Sequence, residues 1–258
     1  MNRKYFFFDI DGTLTDDATH RIVPSALETL HALENEGHFV AVATGRIHYK
    51  AVNFTDKIGI RNVVCSGGGC LVVNGKILVN KPLNKEGAVK LLEEADRKGI
   101  GWILILDDTD SVWLKDLKFI EQAGLRRELT TYHLDPSLDY HDLPEIFKIY
   151  IALDREQMKD HPWASELGCL AMGRYHVIQY DEKKQGILAM LELLNADPAD
   201  AVVFGDAEND LVMFDKRWTS IAMGNAVEAL KEKADYVTDR NVDNGIRNAC
   251  LKFGWIHQ

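Results

Sequence analysis

Four aromatic residues in a row, Tyr5-Phe6-Phe7-Phe8, run directly into Asp9-Ile10-Asp11-Gly12-Thr13. An unbroken apolar run of this length, closed by a turn, predicts a short and fully buried strand. The spacing then lengthens. Leu27, Leu30 and Leu33 recur on one side of a helix predicted from about Ser25, where Ser25 and Glu28 have capping-box spacing, and Gly37 stops it. Phe39 to Ala43 is a second buried strand, ending at Thr44-Gly45-Arg46. Strand, helix, strand is the right-handed unit of a parallel sheet. Cys70 to Val73 and Lys76 to Val79, joined by Asn74-Gly75, predict a hairpin with a tight turn.

The pattern changes after Pro82. A helix-like stretch from Lys85 to Lys98 precedes strand-like Trp102 to Leu106, Ser111 to Leu114, Lys148 to Ala152 and Tyr175 to Tyr180. Strands with helices between them predict a separate α+β module. After Gly186 the alternation returns, with a helix over Ile187 to Leu194 and a buried strand from Ala201 to Phe204 that ends in Gly205-Asp206. Further strands are expected at Thr219 to Ala222 and Tyr236-Val237. The fold class is α/β: a doubly wound parallel-sheet core, residues 1–82 and 183–258, interrupted once by an inserted module, 83–182.

Composition acts mainly by exclusion. Hydrophobic residues make up 46% of 258, enough for a sizeable core. A formal charge of −10 argues against nucleic acid as partner. Cys65, Cys70, Cys169 and Cys250 form no CxxC pair, so neither a zinc site nor a disulfide framework is suggested. Buried thiols in a reducing compartment are the plain reading, and the expected location is cytoplasmic. The apolar run after Lys4 is too short for a signal peptide, and no segment is long enough to span a membrane.

The candidate chemistry lies at strand ends, where open parallel sheets bind ligands. Three predicted strands finish in polar clusters: Asp9-Ile10-Asp11, Thr44-Gly45-Arg46 and Gly205-Asp206-Ala207-Glu208-Asn209-Asp210. Residues i and i+2 of an extended segment share a face, so Asp9 and Asp11 can aim into one site. Carboxylates held ~4 Å apart at an effective dielectric near 20 repel by about 4 kcal/mol per pair before screening. Such a cluster calls for a cation, and all-oxygen ligands favour a hard one such as Mg²⁺.

Together these segments resemble the haloacid dehalogenase superfamily of phosphatases, in particular its Cof-like branch with a C2B cap. The likeness rests on Asp9 to Thr13 as DxDGT, Thr44 as the hydroxyl position, a lysine returning from the insertion, and Gly205 to Asp210 as GDxxND, in that order. It extends through Met223-Gly224-Asn225-Ala226 and Ala234 to Thr238. The resemblance implies a Mg²⁺-dependent hydrolase of small phosphomonoesters, such as sugar phosphates, with an aspartyl-phosphate on Asp9. It implies Asp11 as general acid and then base, its carbonyl also facing the metal. Thr44, Gly45, Arg46, Lys183 and Asn209 form the implied substrate-binding set. Asp9, Asp11, Asp206 and Asp210 form the implied metal set, with Asp210 in the metal shell or on the lysine. In Lys183-Lys184-Gln185-Gly186-Ile187 the branch's lysine, three residues before Gly-Ile, is Lys183, with Lys184 as the alternative. Residues 83–182 are implied to be the cap that sets specificity.

Two other functions share these motifs. A phosphomutase of the phosphomannomutase type differs at the position of Thr44-Gly45-Arg46. A phospho-accepting receiver domain is about half this length and has no such insertion. Several residues also have plainer readings. Arg46 makes either a structural ion pair or a substrate or cap contact. Ser66-Gly67-Gly68-Gly69 either offers backbone amides to an anion or is a flexible entry to the hairpin. His176 is expected in a surface or packing role more than facing the site. Trp102 and Trp113 are expected in the core, and Asp107 to Asp110 in a solvated turn.

Overall fold

The structure is a computed structural model describing residues 2–126, 128–159 and 167–257. The chain divides into two compact units, Met1–Val79 with Glu182–Gln258, and Asn80–Asp181.

The first unit begins with β1 (Tyr5–Phe8), α1 (Pro24–Asn35), β2 (Phe39–Ala43), α2 (His48–Thr55), β3 (Val63–Cys65), β4 (Cys70–Val73) and β5 (Lys76–Asn80). Phe6, Phe7 and Phe8 are fully buried because β1 is covered on both faces, which is why its sequence shows no alternation. Pro24 opens α1 and Val23 caps it without a side-chain bond, so the expected Ser25–Glu28 capping box does not form. Proline's fixed φ starts the helix one residue before the serine, leaving Ser25 inside the first turn. Asn74 and Gly75 both have positive φ, as a two-residue hairpin turn requires.

The second unit carries α3 (Lys85–Lys98), β6 (Trp102–Ile105), β7 (Ser111–Leu114), β8 (Thr131–Leu134), β9 (Lys148–Ile151), β10 (Cys169–Ala171) and β11 (His176–Ile178). Its sheet order is β10-β11-β9-β6-β7-β8. Its neighbouring strands are antiparallel except β7 with β8, which are parallel. Asn84 caps α3 by accepting from Gly87 N at 2.8 Å. The helix buries Ala88, Leu91, Leu92 and Ala95 among Trp102, Leu104, Ile149 and Ile151. Asp96 fastens it by accepting from Trp102 Nε1 (2.8 Å), Tyr140 OH (3.2 Å) and Lys115 Nζ. His176 is buried and bonded to Leu153 O. Trp102 is core, Trp113 is half-buried and stacked on His133, and Thr109 bonds Asp107 in the turn that follows β6.

The chain returns to the first unit with α4 (Lys183–Leu193), β12 (Ala201–Gly205), β13 (Thr219–Ala222), α5 (Glu228–Lys233), β14 (Tyr236–Val237) and α6 (Gly245–Lys252). The sheet order is β14-β13-β12-β1-β2-β3-β4-β5, parallel from β14 to β3, with β4 antiparallel to β3. One face packs on Leu30, Leu33, Ala51 and Ile246 from α1, α2 and α6. The other packs on Ile187, Met190, Leu191 and Leu230 from α4 and α5. The direction of winding reverses at β1, between β12 and β2, so the crevice beyond Phe8 is where this architecture binds ligands. Among the described residues no helix is long and apolar enough to cross a membrane.

Candidate active site

Asp9 is the first residue beyond β1, and its amide still pairs with Phe204 O (3.0 Å) at the end of β12. The neighbouring strand ends supply its surroundings. Asp206 follows β12, Thr44 follows β2, and Lys183 opens α4.

Lys183 is the hinge of the charge arrangement. Only 1% of it is exposed, and its Nζ donates to Asp9 Oδ1 at 2.7 Å and to Asp210 Oδ1 at 2.6 Å. Asp9 Oδ2 accepts from Asp11 N (3.0 Å), while Asp210 Oδ2 accepts from the amides of Asp206 (3.0 Å) and Ala207 (3.1 Å). Asp206 Oδ1 accepts from Thr13 Oγ1 at 2.6 Å. Ligand oxygens of Asp9, Asp206 and Asp210 all lie within 4.8 Å of one another.

One ammonium does not balance three buried carboxylates. Burial, followed by the charge of Asp210, pushes Asp9 up to about 8 despite Lys183. Burial likewise raises Asp206 to about 7, against the Thr13 hydrogen bond. Burial also opposes the charge on Lys183, but Asp210 and Asp9 outweigh it and hold the ammonium above the ordinary lysine value. The cluster therefore has the donors and the excess negative charge that a hard divalent cation satisfies. Space beside Asp206 is kept by Gly12, which has φ +86°; a Cβ there would collide with Asp206 Oδ2. Gly12 O is in turn held by Asn225 Nδ2 (2.8 Å), whose Oδ1 accepts from Asn241 N (3.0 Å).

Asp11 stands outside the carboxylate cluster. Its side chain is 58% exposed and forms a two-pronged ion pair with Arg46, Nη2 to Oδ1 at 2.6 Å and Nε to Oδ2 at 3.2 Å. Arg46 also lies 5.4 Å from the centre of the Phe54 ring. Thr44 is buried, its amide continues the sheet to Val64 O (2.8 Å), and its Oγ1 accepts from Arg46 N (3.2 Å). Gly45 links the two and is half-buried. Asn209 is half-buried on the turn that carries Asp210. Lys184 leaves the cluster altogether and pairs with Asp215 at 3.3 Å.

The glycine loop has a positional role that its sequence does not announce. Ser66, Gly67 and Gly68 all have positive φ. Ser66 N donates to Arg46 O (2.7 Å), Gly67 N to Thr44 O (3.2 Å) and Glu182 N to Gly67 O (2.7 Å). A Cβ on Gly68 would strike Glu182 O, and one on Gly186 would stand 2.8 Å from Gly68 Cα. The loop thus sits against the first turn of α4, fixing which lysine points inward, while holding the Thr44 segment. Thr13, Gly186 and Asn225 are supporting residues to which the sequence alone assigns no individual role.

A doubly wound α/β core with a lysine-bridged carboxylate cluster at its switch point is the kind of protein the fold and site define. Residues 6–250 match the model of the haloacid dehalogenase-like hydrolases, and the chain belongs to that family. YkrA of Bacillus subtilis (strain 168), provisionally named a phosphatase, is 30% identical over 260 residues, covering 98% of this chain and 99% of its own. A solved hypothetical protein of Geobacillus kaustophilus HTA426 is 28% identical with TM-score 0.83, covering 99% of this chain and 100% of that one. The HAD subclass IIB sugar phosphatase BT4131 is 25% identical with TM-score 0.76, covering 98% and 100%. Family and relatives together make the chain a phosphoric monoester hydrolase.

Proposed function

We propose that the chain is a magnesium-dependent phosphatase of small phosphomonoesters, sugar phosphates or similar metabolites, working through an aspartyl-phosphate on Asp9. The observation that carries the reading is the Lys183 ammonium, 2.7 Å from Asp9 and 2.6 Å from Asp210, inside a three-carboxylate cluster at the end of β1. The sugar-phosphate class is supported by the likeness to BT4131.

Asp9 attacks phosphorus, and the ester is hydrolysed in two easier displacements. Asp11 gives a proton to the leaving oxygen and later takes one from water. Thr44 and its neighbouring amides hold phosphoryl oxygens. Lys183 neutralises charge on the group in transfer and keeps Asp9 oriented. Asp9 and Asp206 would hold Mg²⁺, with the Asp11 carbonyl facing it and Asp210 bracing the Asp206 turn. The ion would supply positive charge for the phosphate oxygens and lower the repulsion that Asp9 meets on approach. Asn209 is a polar contact at the same end. The inserted module acts as a cap that supplies substrate specificity.

Hydrolysis of para-nitrophenyl phosphate tests the reading. We expect phosphate release with Mg²⁺, loss of release on chelation, and recovery on adding Mg²⁺ back. Turnover indifferent to chelation would overturn the metal assignment, and no turnover on any phosphomonoester would overturn the function.

Arg46 has a more specific role here. Its fork holds the Asp11 carboxylate, a geometry that lysine cannot reproduce. We expect Arg46→Lys to lower kcat on an alkyl phosphate by about tenfold, a fraction of what general acid catalysis contributes. On para-nitrophenyl phosphate, whose leaving group needs little protonation, the loss should be about twofold. Equal losses on both substrates, expressed in KM, would make Arg46 a substrate contact instead.

A further inference from the structure

Cys65 ends β3, Cys70 opens β4, and the two face each other in the antiparallel register. Both are fully buried. They share one face with Val63 and Val72, while Val64 and Leu71 belong to the other. Directly opposed residues of an antiparallel pair have Cα atoms about 4.5–5.5 Å apart and Cβ atoms at a similar separation. A disulfide accepts Cα separations of about 4.4–6.8 Å but wants its Cβ atoms about 3.8 Å apart. Joining these thiols therefore requires the two strand ends to draw in by about 1 Å, with no change of register.

What lies between the two cysteines gives that movement a consequence. Ser66 to Gly69 is the loop that bonds the carbonyls of Thr44 and Arg46 and abuts the start of α4, where Lys183 sits. Displacements of about 1 Å at catalytic groups cost up to ~100-fold in rate. The other cysteines have no such cross-strand partner: Cys169 stands opposite Ile178 in the β10–β11 pair, and Cys250 lies on α6.

We propose that Cys65 and Cys70 are a reversible oxidation site, and that their disulfide lowers activity by shifting the loop that seats Thr44 and Lys183. The oxidant is a peroxide. One thiolate attacks the O–O bond and becomes a sulfenic acid, releasing water after protonation. The second sulfur then attacks the sulfenic sulfur, the S–S bond forms, and hydroxide leaves as water with the second thiol's proton. Two thiols and one hydrogen peroxide give one disulfide and two waters.

The test uses the whole chain. Purified protein is treated with hydrogen peroxide, quenched with catalase, alkylated with iodoacetamide in denaturant and digested with trypsin. Peptide 62–76, between Arg61 and Lys76, contains both cysteines. We expect that peptide to lose two hydrogens and escape alkylation, with turnover reduced about 10- to 100-fold and restored by dithiothreitol. Cys65→Ala and Cys70→Ala should keep their untreated activity after peroxide. Full alkylation of both residues, a disulfide mapped to Cys250, or a Cys65–Cys70 disulfide with undiminished turnover would each overturn the proposal. The peptide mass is read without turnover and on the wild-type chain, so neither a poorly folding variant nor a failure of the phosphatase assignment removes the test.

Discussion

Replacing Asp9 with Asn should reduce turnover by on the order of 10⁴- to 10⁶-fold, the range seen when a catalytic nucleophile is removed, while leaving the fold intact. An amide keeps the shape of the carboxyl and still offers an oxygen to Lys183 Nζ, now 2.7 Å from Asp9. It cannot attack phosphorus. Stability should move the other way. Asp9 is pushed up to about 8 and Asp206 to about 7, both above the ordinary 3.8. A group raised in the folded state binds protons that the unfolded chain has already released. Its contribution is present below about pH 4 and lost as pH rises through 7 to 8. Metal-free wild type should therefore lose stability from about pH 4 to pH 8, and Asp9→Asn should lose less. Mg²⁺ should flatten the wild-type profile. Thermal melts across pH, with and without Mg²⁺, measure this; a variant that melts well below wild type at pH 8 without metal would contradict it.

Lys183→Met should damage both activity and stability. The ammonium is 2% exposed at its side chain and bonded to two carboxylates that are themselves buried. Removing one partner of a buried ion pair costs about 3–5 kcal/mol, because the remaining charges have no compensation. For a chain of this size that is on the order of 10 °C in melting temperature. The loss should be greater at pH 8 than at pH 5, since protonation relieves the stranded carboxylates as pH falls. Lys184→Ala is the internal control. Its pair with Asp215 is part-exposed, so the cost should stay below about 1 kcal/mol with turnover unchanged. Equal effects from the two lysines would refute the assignment.

The contrast between these adjacent lysines shows where sequence reading stops. A four-residue apolar run before Asp9, the Asn74-Gly75 turn and the helix-like stretch over Lys85–Lys98 are local signals, and the structure has β1, the hairpin and α3 at those places. The rotational phase of α4 is not local. It is set by Glu182 N on Gly67 O and by Gly186 against Gly68, contacts made across more than a hundred positions of sequence. The same holds for Asn225 on Gly12 O and Thr13 on Asp206. β8 and β10 carry no clear sequence signal because they are edge strands, only partly buried, and partial burial imposes no clear apolar alternation. The capping box at Ser25 was legible but wrong, overridden by Pro24.

The most direct measurement of the central claim is to stop a reaction with radiolabelled phosphomonoester by rapid acid quench, reduce with borohydride, and map the modified peptide. An aspartyl-phosphate on Asp9 predicts protein-bound phosphate during turnover and reductive conversion of Asp9 within tryptic peptide 5–21, both lost in Asp9→Asn. Turnover without any protein-bound phosphate, or label on a residue other than Asp9, would contradict it.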